Sequence, residues 1–186
     1  MEESTLKYWK DAGHVARRTL EAMKLELTPG KTFHEVIESA ERYIHRHGGK
    51  PAFPGTIAVN DLAAHFTTDH AINHVEGWDG EMILQKGDCV KIDFGVHIKG
   101  HLADNALTFE IGNGNEHTEQ IKAAKEARDA AIEMMHPGTP WYKVGQAAAQ
   151  PSLDAGFQPI RNLCRQQHNP SQQHAPESLP TKACGP

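Results

Sequence analysis

Two aspartates, Asp93 and Asp104, have the type and spacing to bind divalent cations together. The stretch from Cys89 to Phe109 holds two runs in which apolar and polar residues alternate, joined by Lys99-Gly100. Alternation of this kind marks half-buried strands, and a Lys-Gly pair suits a two-residue hairpin loop. Such a loop pairs Ile98 with His101 and sets Asp93 opposite Ala106. Side chains two apart on a strand share a face, so Asp93 and Asp104 become diagonal neighbours with Cα atoms roughly 7–8 Å apart. Carboxylates held this way can grip two divalent cations about 3.5–4 Å apart. The same spacing also fits two solvated residues on the outer side of an antiparallel sheet.

The two faces of this hairpin differ in character. Ile92, Phe94, Val96 and Ile98, with Ala103 and Leu107, form one apolar wall. Lys91, Asp93, Gly95, Asp104, Ala106 and Thr108 form the other face, small and polar as the floor of a site would be.

A chain of 186 residues is long enough for one domain, or part of one, with a substantial core. No stretch is apolar for long enough to span a membrane, and the acidic start Met1-Glu-Glu-Ser-Thr predicts no signal peptide. A net charge of −5 argues against a nucleic-acid partner. The three cysteines, at 89, 164 and 184, have neither metal-ligand spacing nor an even number to form a disulfide framework. A cytoplasmic monomer is expected. With 13 histidines in the chain, a single histidine says little without its neighbours.

The elements that would hold the hairpin are legible from periodicity. Residues 5–27 carry Leu6, Trp9, Ala16, Leu20 and Met23 at helical spacing, and Thr28-Pro29-Gly30 ends the run. A second helix is predicted over 32–47, followed by Gly48-Gly49, then a short strand within 52–60. Mixed turns and a polar loop fill 61–87, the hairpin takes 88–112, and further helices are predicted at 115–135 and 140–150.

Pro29-Gly30 recurs as Pro137-Gly138, 108 positions on, and at that offset Val36 falls on Val144, Ala40 on Ala148, Gly48 on Gly156 and Pro51 on Pro159. Each half then reads helix, Pro-Gly, helix, Gly, strand. A single long offset points to a pseudo-symmetric domain of two related halves. After Leu163 the composition changes: residues 164–186 hold one Leu and no aromatic residue, Val, Ile or Met. Such a segment buries too little surface to offset its ordering entropy, so a disordered tail is predicted after a domain of 1–163.

Three motifs, read together, resemble a known family. They are Pro51-Ala-Phe-Pro54 leading into Val59-Asn-Asp-Leu-Ala-Ala-His65-Phe-Thr67, then Lys86-Gly-Asp-Cys-Val-Lys-Ile-Asp93-Phe-Gly95, then His97-Ile-Lys-Gly-His-Leu-Ala-Asp104. Their order and spacing resemble the methionine aminopeptidases of the type-2 branch, within the wider pita-bread metallopeptidases. The resemblance runs from residue 5 to 163. It implies an α+β pita-bread fold with the second half incomplete, and removal of N-terminal methionine from nascent proteins. It also implies two divalent ions per complete site, cobalt, manganese, iron or zinc. By position, Asp93 matches an aspartate holding one ion, Asp104 one bridging both, and His65 a histidine touching the substrate's terminal methionine. Taken alone, His65 would read as a core or turn histidine.

The chain departs from the family pattern twice. The segment after His65 is longer than usual and includes His70 and His74, read as surface residues of a loop. Gln158-Pro-Ile-Arg-Asn-Leu163 matches the approach to a further metal histidine, but the expected Gly-His does not follow, and the two later glutamates have no counterpart. His168 and His174 lie in unmatched context and take no role. Codons for Cys164-Arg-Gln-Gln-His168 read one base later can give Ala-Gly-Asn-Ser-Ile, so an out-of-frame tail is one explanation. The leading expectation is therefore an aminopeptidase by descent, itself inactive. The alternative is a non-catalytic pita-bread binding protein or inactive fragment. A proline dipeptidase on the same fold is disfavoured by the Ala63-Ala-His-Phe-Thr67 string.

Overall fold

The structure, a computed structural model, describes residues 3–68, 82–112, 114–160, 164–166, 171 and 178–180. Two compact units divide it: Met1–Asn115 with Asn169–Gln172, and Glu116–His168 with Gln173–Pro186.

The first unit opens with helix α1 (Glu3–Glu26) and α2 (Phe33–Arg46). The start of α2 is fixed by a reciprocal cap. Thr32 Oγ1 accepts from the Glu35 amide at 3.1 Å, and the Glu35 carboxylate accepts from the Thr32 amide at 2.8 Å. Two otherwise orphaned amides are thereby satisfied. Strands β1 (Lys50–Pro51), β2 (Thr56–Val59), β3 (Cys89–Ile98) and β4 (His101–Glu110) form one antiparallel sheet. β4 runs along one edge of β3 for its full length, while β1 and β2 share the other edge.

Alternation sorts the side chains of this sheet. Val90, Ile92, Phe94 and Val96 are buried on one face, with Ile57 and Val59 of β2 beside them. Onto that face pack Ala16, Leu20 and Met23 of α1 and Val36, Ala40 and Ile44 of α2. Leu6, expected in the α1 stripe, is exposed, since it lies in the helix's first turns before the core begins. Burial of this apolar face, at roughly 25 cal/mol per Å² of area removed from water, holds the sheet's other face toward the site.

The second unit begins with α3 (Thr118–Met134) and α4 (Trp141–Asp154). α4 runs past Pro151, where the sequence suggested it would stop. Proline already has helical φ and sits here in the last turn, so it loses one hydrogen bond without breaking the helix. Within the 164–186 segment, expected to be disordered, β5 (Cys164–Gln166) pairs antiparallel with β6 (Ser178–Pro180). Pairing through main-chain bonds needs no apolar side chains, which is how so polar a segment can form strands.

The offset of 108 recurs in the bounds of the elements. α2 and α4 differ by 108 at both ends, and β5 begins 108 after β2. Gly30 and Gly138 have φ of +94° and +85°, and Gly48 and Gly156 have +83° and +82°. Those left-handed corners accept glycine at little steric cost. The halves differ in burial, however: Phe33 is 2% exposed and its counterpart Trp141 43%.

Candidate metal centre

The hairpin has the register that its loop dictates. Lys99 and Gly100 turn the chain at φ of +50° and +80°. Ile98 pairs with His101, Gly95 with Asp104 and Asp93 with Ala106. Asp93 and Asp104 therefore share a face as diagonal neighbours. On the other edge of β3, Thr56 pairs with Asp93, so Thr56, Asp93 and Ala106 form a row across three strands. Asp93 is half-buried with its Oδ1 shielded from solvent, whereas Asp104 is exposed.

Gly95 stands between them on this face, and its lack of a side chain has a use. A Cβ there would lie 2.2 Å from the Phe53 ring and 2.8 Å from the Ala52 Cβ. The Ala52 amide donates to the Gly95 carbonyl at 2.9 Å, which draws the Pro51–Pro54 segment onto the strand. The Phe53 ring thus forms an apolar wall beside the aspartates. Sequence reasoning did not assign it a role. A glycine inside an alternating strand, which often marks close approach of another segment, was the available signal.

His65 lies on the loop that leaves β2, and its side chain is exposed. Its φ of +65° puts it in the left-handed region, as does the +52° of Asn60 at the other end of the loop. The loop is tied to the sheet at both ends, to β3 near Asn60 and to β2 near Phe66. The Asn60 amide donates to the Cys89 carbonyl at 2.9 Å, and its side-chain oxygen accepts from the Cys89 amide at 2.9 Å. The Asn60 Nδ2 donates to Asp88 Oδ1 at 3.0 Å, while Asp88 Oδ2 accepts from the Gln85 amide at 2.8 Å. Further along, Lys91 Nζ donates to the Leu62 carbonyl at 2.6 Å, and the Ile57 amide to the Phe66 carbonyl at 2.9 Å. The Lys-Gly-Asp turn before β3 therefore anchors the loop of His65 as well as starting the strand.

The donor chemistry fits a hard divalent cation in part. Carboxylate oxygens suit magnesium, calcium or manganese, and imidazole can add zinc or iron. Among the described residues, no group of three or more His, Cys, Asp or Glu side chains could hold a metal ion. His70, His74, His168 and His174 lie outside the described residues. Cys89, at the start of β3, has its thiol pKa raised, chiefly by burial and further by Glu110, against the opposing effect of Lys91. Burial disfavours the thiolate.

Two carboxylates on a sheet floor, an apolar ring beside them and a histidine loop tied to the same strand describe a site but not its lineage. The family model of metallopeptidase family M24 matches residues 7–171. The chain belongs to that family. A methionine aminopeptidase of Archaeoglobus fulgidus is 35% identical over 179 residues, covering 96% of this chain and 58% of its own length. The crystal structure of a methionine aminopeptidase from Rickettsia prowazekii superposes with a TM-score of 0.86 at 19% identity, covering 98% of this chain and 73% of that one. A prolidase from Pyrococcus furiosus gives 0.78 at 23% identity, covering 97% and 51%. This M24 chain spans a little over half the length of the curated relatives it matches.

The M24 chain has the α+β pita-bread fold of those structures. Aminopeptidase and prolidase share it, so the fold alone does not choose a substrate.

Proposed function

We propose that this M24 chain carries the first-half portion of a methionine aminopeptidase site, built to remove the N-terminal methionine of nascent proteins. The observation that carries the reading is the placing of Asp93 and Asp104 on one face, with the Phe53 ring packed against Gly95 between them. Asp93 and Asp104 would hold the divalent cation, which when bound polarises the peptide carbonyl and acidifies a water. Cobalt, manganese, iron or zinc are the candidate metals, two per complete site. Phe53 offers an apolar surface for a side chain such as methionine, and His65 is the residue to meet the substrate's terminal residue. The exposed His65 ring has room to do so.

On its own this chain has little or no peptidase activity, because the two carboxylates that the described residues offer are too few donors to fix a cation pair. The net charge of −5 favours a peptide partner over nucleic acid. We place the protein in the cytoplasm as a monomer, which its unpatterned cysteines suit. The 35% identity to an archaeal methionine aminopeptidase favours this reading over a proline-specific one.

Isothermal titration of the chain with Mn²⁺, alone and with a methionyl tripeptide, tests the reading. Weak Mn²⁺ binding that Asp93→Asn and Asp104→Asn both abolish is expected. Binding indifferent to both substitutions would overturn it and leave the non-catalytic pita-bread alternative.

A further inference from the structure

We propose that Lys91 and Asn60 are positioning residues that hold His65 in its left-handed turn and so aim its ring. The proposal rests on the reading of His65 as a substrate-binding residue, but its test does not.

The backbone states the problem. A histidine at φ +65° occupies a region that residues with a Cβ enter at a cost, and Asn60 pays the same cost at +52°. Residues 61–65 are exposed, so burial does not hold them there. Hydrogen bonds must do it instead. The Leu62 amide donates to the Val59 carbonyl at 3.0 Å, closing a tight turn around Asn60. The Asn60 side chain then spans to Asp88 and to the Cys89 amide, which fixes that turn to the start of β3.

Lys91 supplies the second point of attachment. It lies two residues before Asp93 on the same face, and its ammonium reaches the Leu62 carbonyl at 2.6 Å, three residues before His65. A charged donor makes this bond stronger than a neutral one would. With the Ile57 to Phe66 bond closing the far end at 2.9 Å, the loop has three anchors on the strands that carry Asp93 and Thr56. One strand thus presents a carboxylate at 93 and holds the histidine loop through 91. This gives the lysine of that face a role.

The experiment follows the His65 ring itself. Histidine-ring ¹H–¹³C spectra are recorded on the full chain, with His65→Asn used to assign the signal. Lys91→Met and Asn60→Gly are each expected to shift or broaden the His65 signal while those of His14 and His45 stay in place. Asn60→Gly keeps the left-handed backbone accessible and removes only the side-chain bonds, so it serves if Lys91→Met does not fold. Lys91→Arg, which keeps a charged donor, is expected to retain the native His65 signal. An unchanged His65 signal in Lys91→Met and Asn60→Gly overturns the proposal, as does a shift of His14 and His45 along with His65. Titration with the tripeptide Met-Ala-Ser then separates the two ideas. Movement of the His65 signal in the unmodified chain, weakened tenfold or more in Lys91→Met with Mn²⁺ affinity intact, supports both. A silent His65 in the unmodified chain overturns the substrate role alone, while the variant spectra still decide the positioning.

Discussion

Asp104 lies directly across the hairpin from Gly95, and the missing side chain at 95 is what admits the Phe53 ring beside the carboxylates. Any residue larger than glycine would drive Phe53 off the strand. Gly95→Ala should therefore destabilise the chain by about 1–3 kcal/mol, the usual cost of overpacking. Urea unfolding measures it. The clash is with a side chain, so Phe53→Ala in the same chain should recover part of the loss. Equal losses in single and double variants would mean that the strand, not the ring, resists the added Cβ.

Asp104→Asn preserves shape and removes charge. If Asp93 and Asp104 jointly hold a cation, the substitution should lower Mn²⁺ affinity tenfold or more, about 1.4 kcal/mol, with no change in the far-ultraviolet spectrum. Titration calorimetry reads the affinity directly. An unchanged value would remove Asp104 from the site and leave it a solvated residue of an outer sheet face.

Glu35 gives a pH dependence with a definite sign. The Thr32 amide, bonded to its carboxylate, is the largest influence and holds its pKa below the ordinary 4.5, against a smaller opposing effect of burial. A carboxyl whose folded pKa is depressed contributes stability above its unfolded pKa and loses it as pH falls through the folded one. The start of α2 should therefore weaken on acidification from about pH 4.5 downward, and Glu35→Gln should flatten that part of the profile. Thermal unfolding between pH 3 and 6 checks it. An identical slope in the variant would show that the cap is not coupled to titration.

Most of the fold could be read from local signals. The Lys99-Gly100 loop fixes the hairpin register, because a two-residue turn leaves only one pairing. Pro29-Gly30 and Pro137-Gly138 mark the repeat because the left-handed corners at Gly30 and Gly138 suit glycine. What escaped sequence reading was contact across distance. Nothing local to Phe53 says that it covers Gly95, and nothing local to Lys91 says that it serves Leu62, 29 residues earlier. The same holds for burial in the second unit: Met135, 108 after the buried Leu27, is 47% exposed although both end a helical stripe. The facing surface decides burial, and periodicity does not describe that surface.

The chain should show no turnover of methionyl tripeptides above buffer with Mn²⁺ or Co²⁺. Acceleration by a metal site requires the cation to be held while its water and the carbonyl are oriented, and holding it takes several donors. Among the described residues no group of three or more His, Cys, Asp or Glu side chains could hold a metal ion, so a cation on the two carboxylates would stay mainly hydrated and its water little acidified. In the proposed reading Phe53 and His65 would orient a terminal residue, but orientation without an activated water does not cleave a peptide. A coupled amino-acid assay on Met-Ala-Ser, run with the chain and with Asp104→Asn, gives the answer. Equal, background-level rates in both are expected. Robust turnover that Asp104→Asn abolishes would mean that further ligands come from outside the described residues, with His168 and His174 the first to substitute.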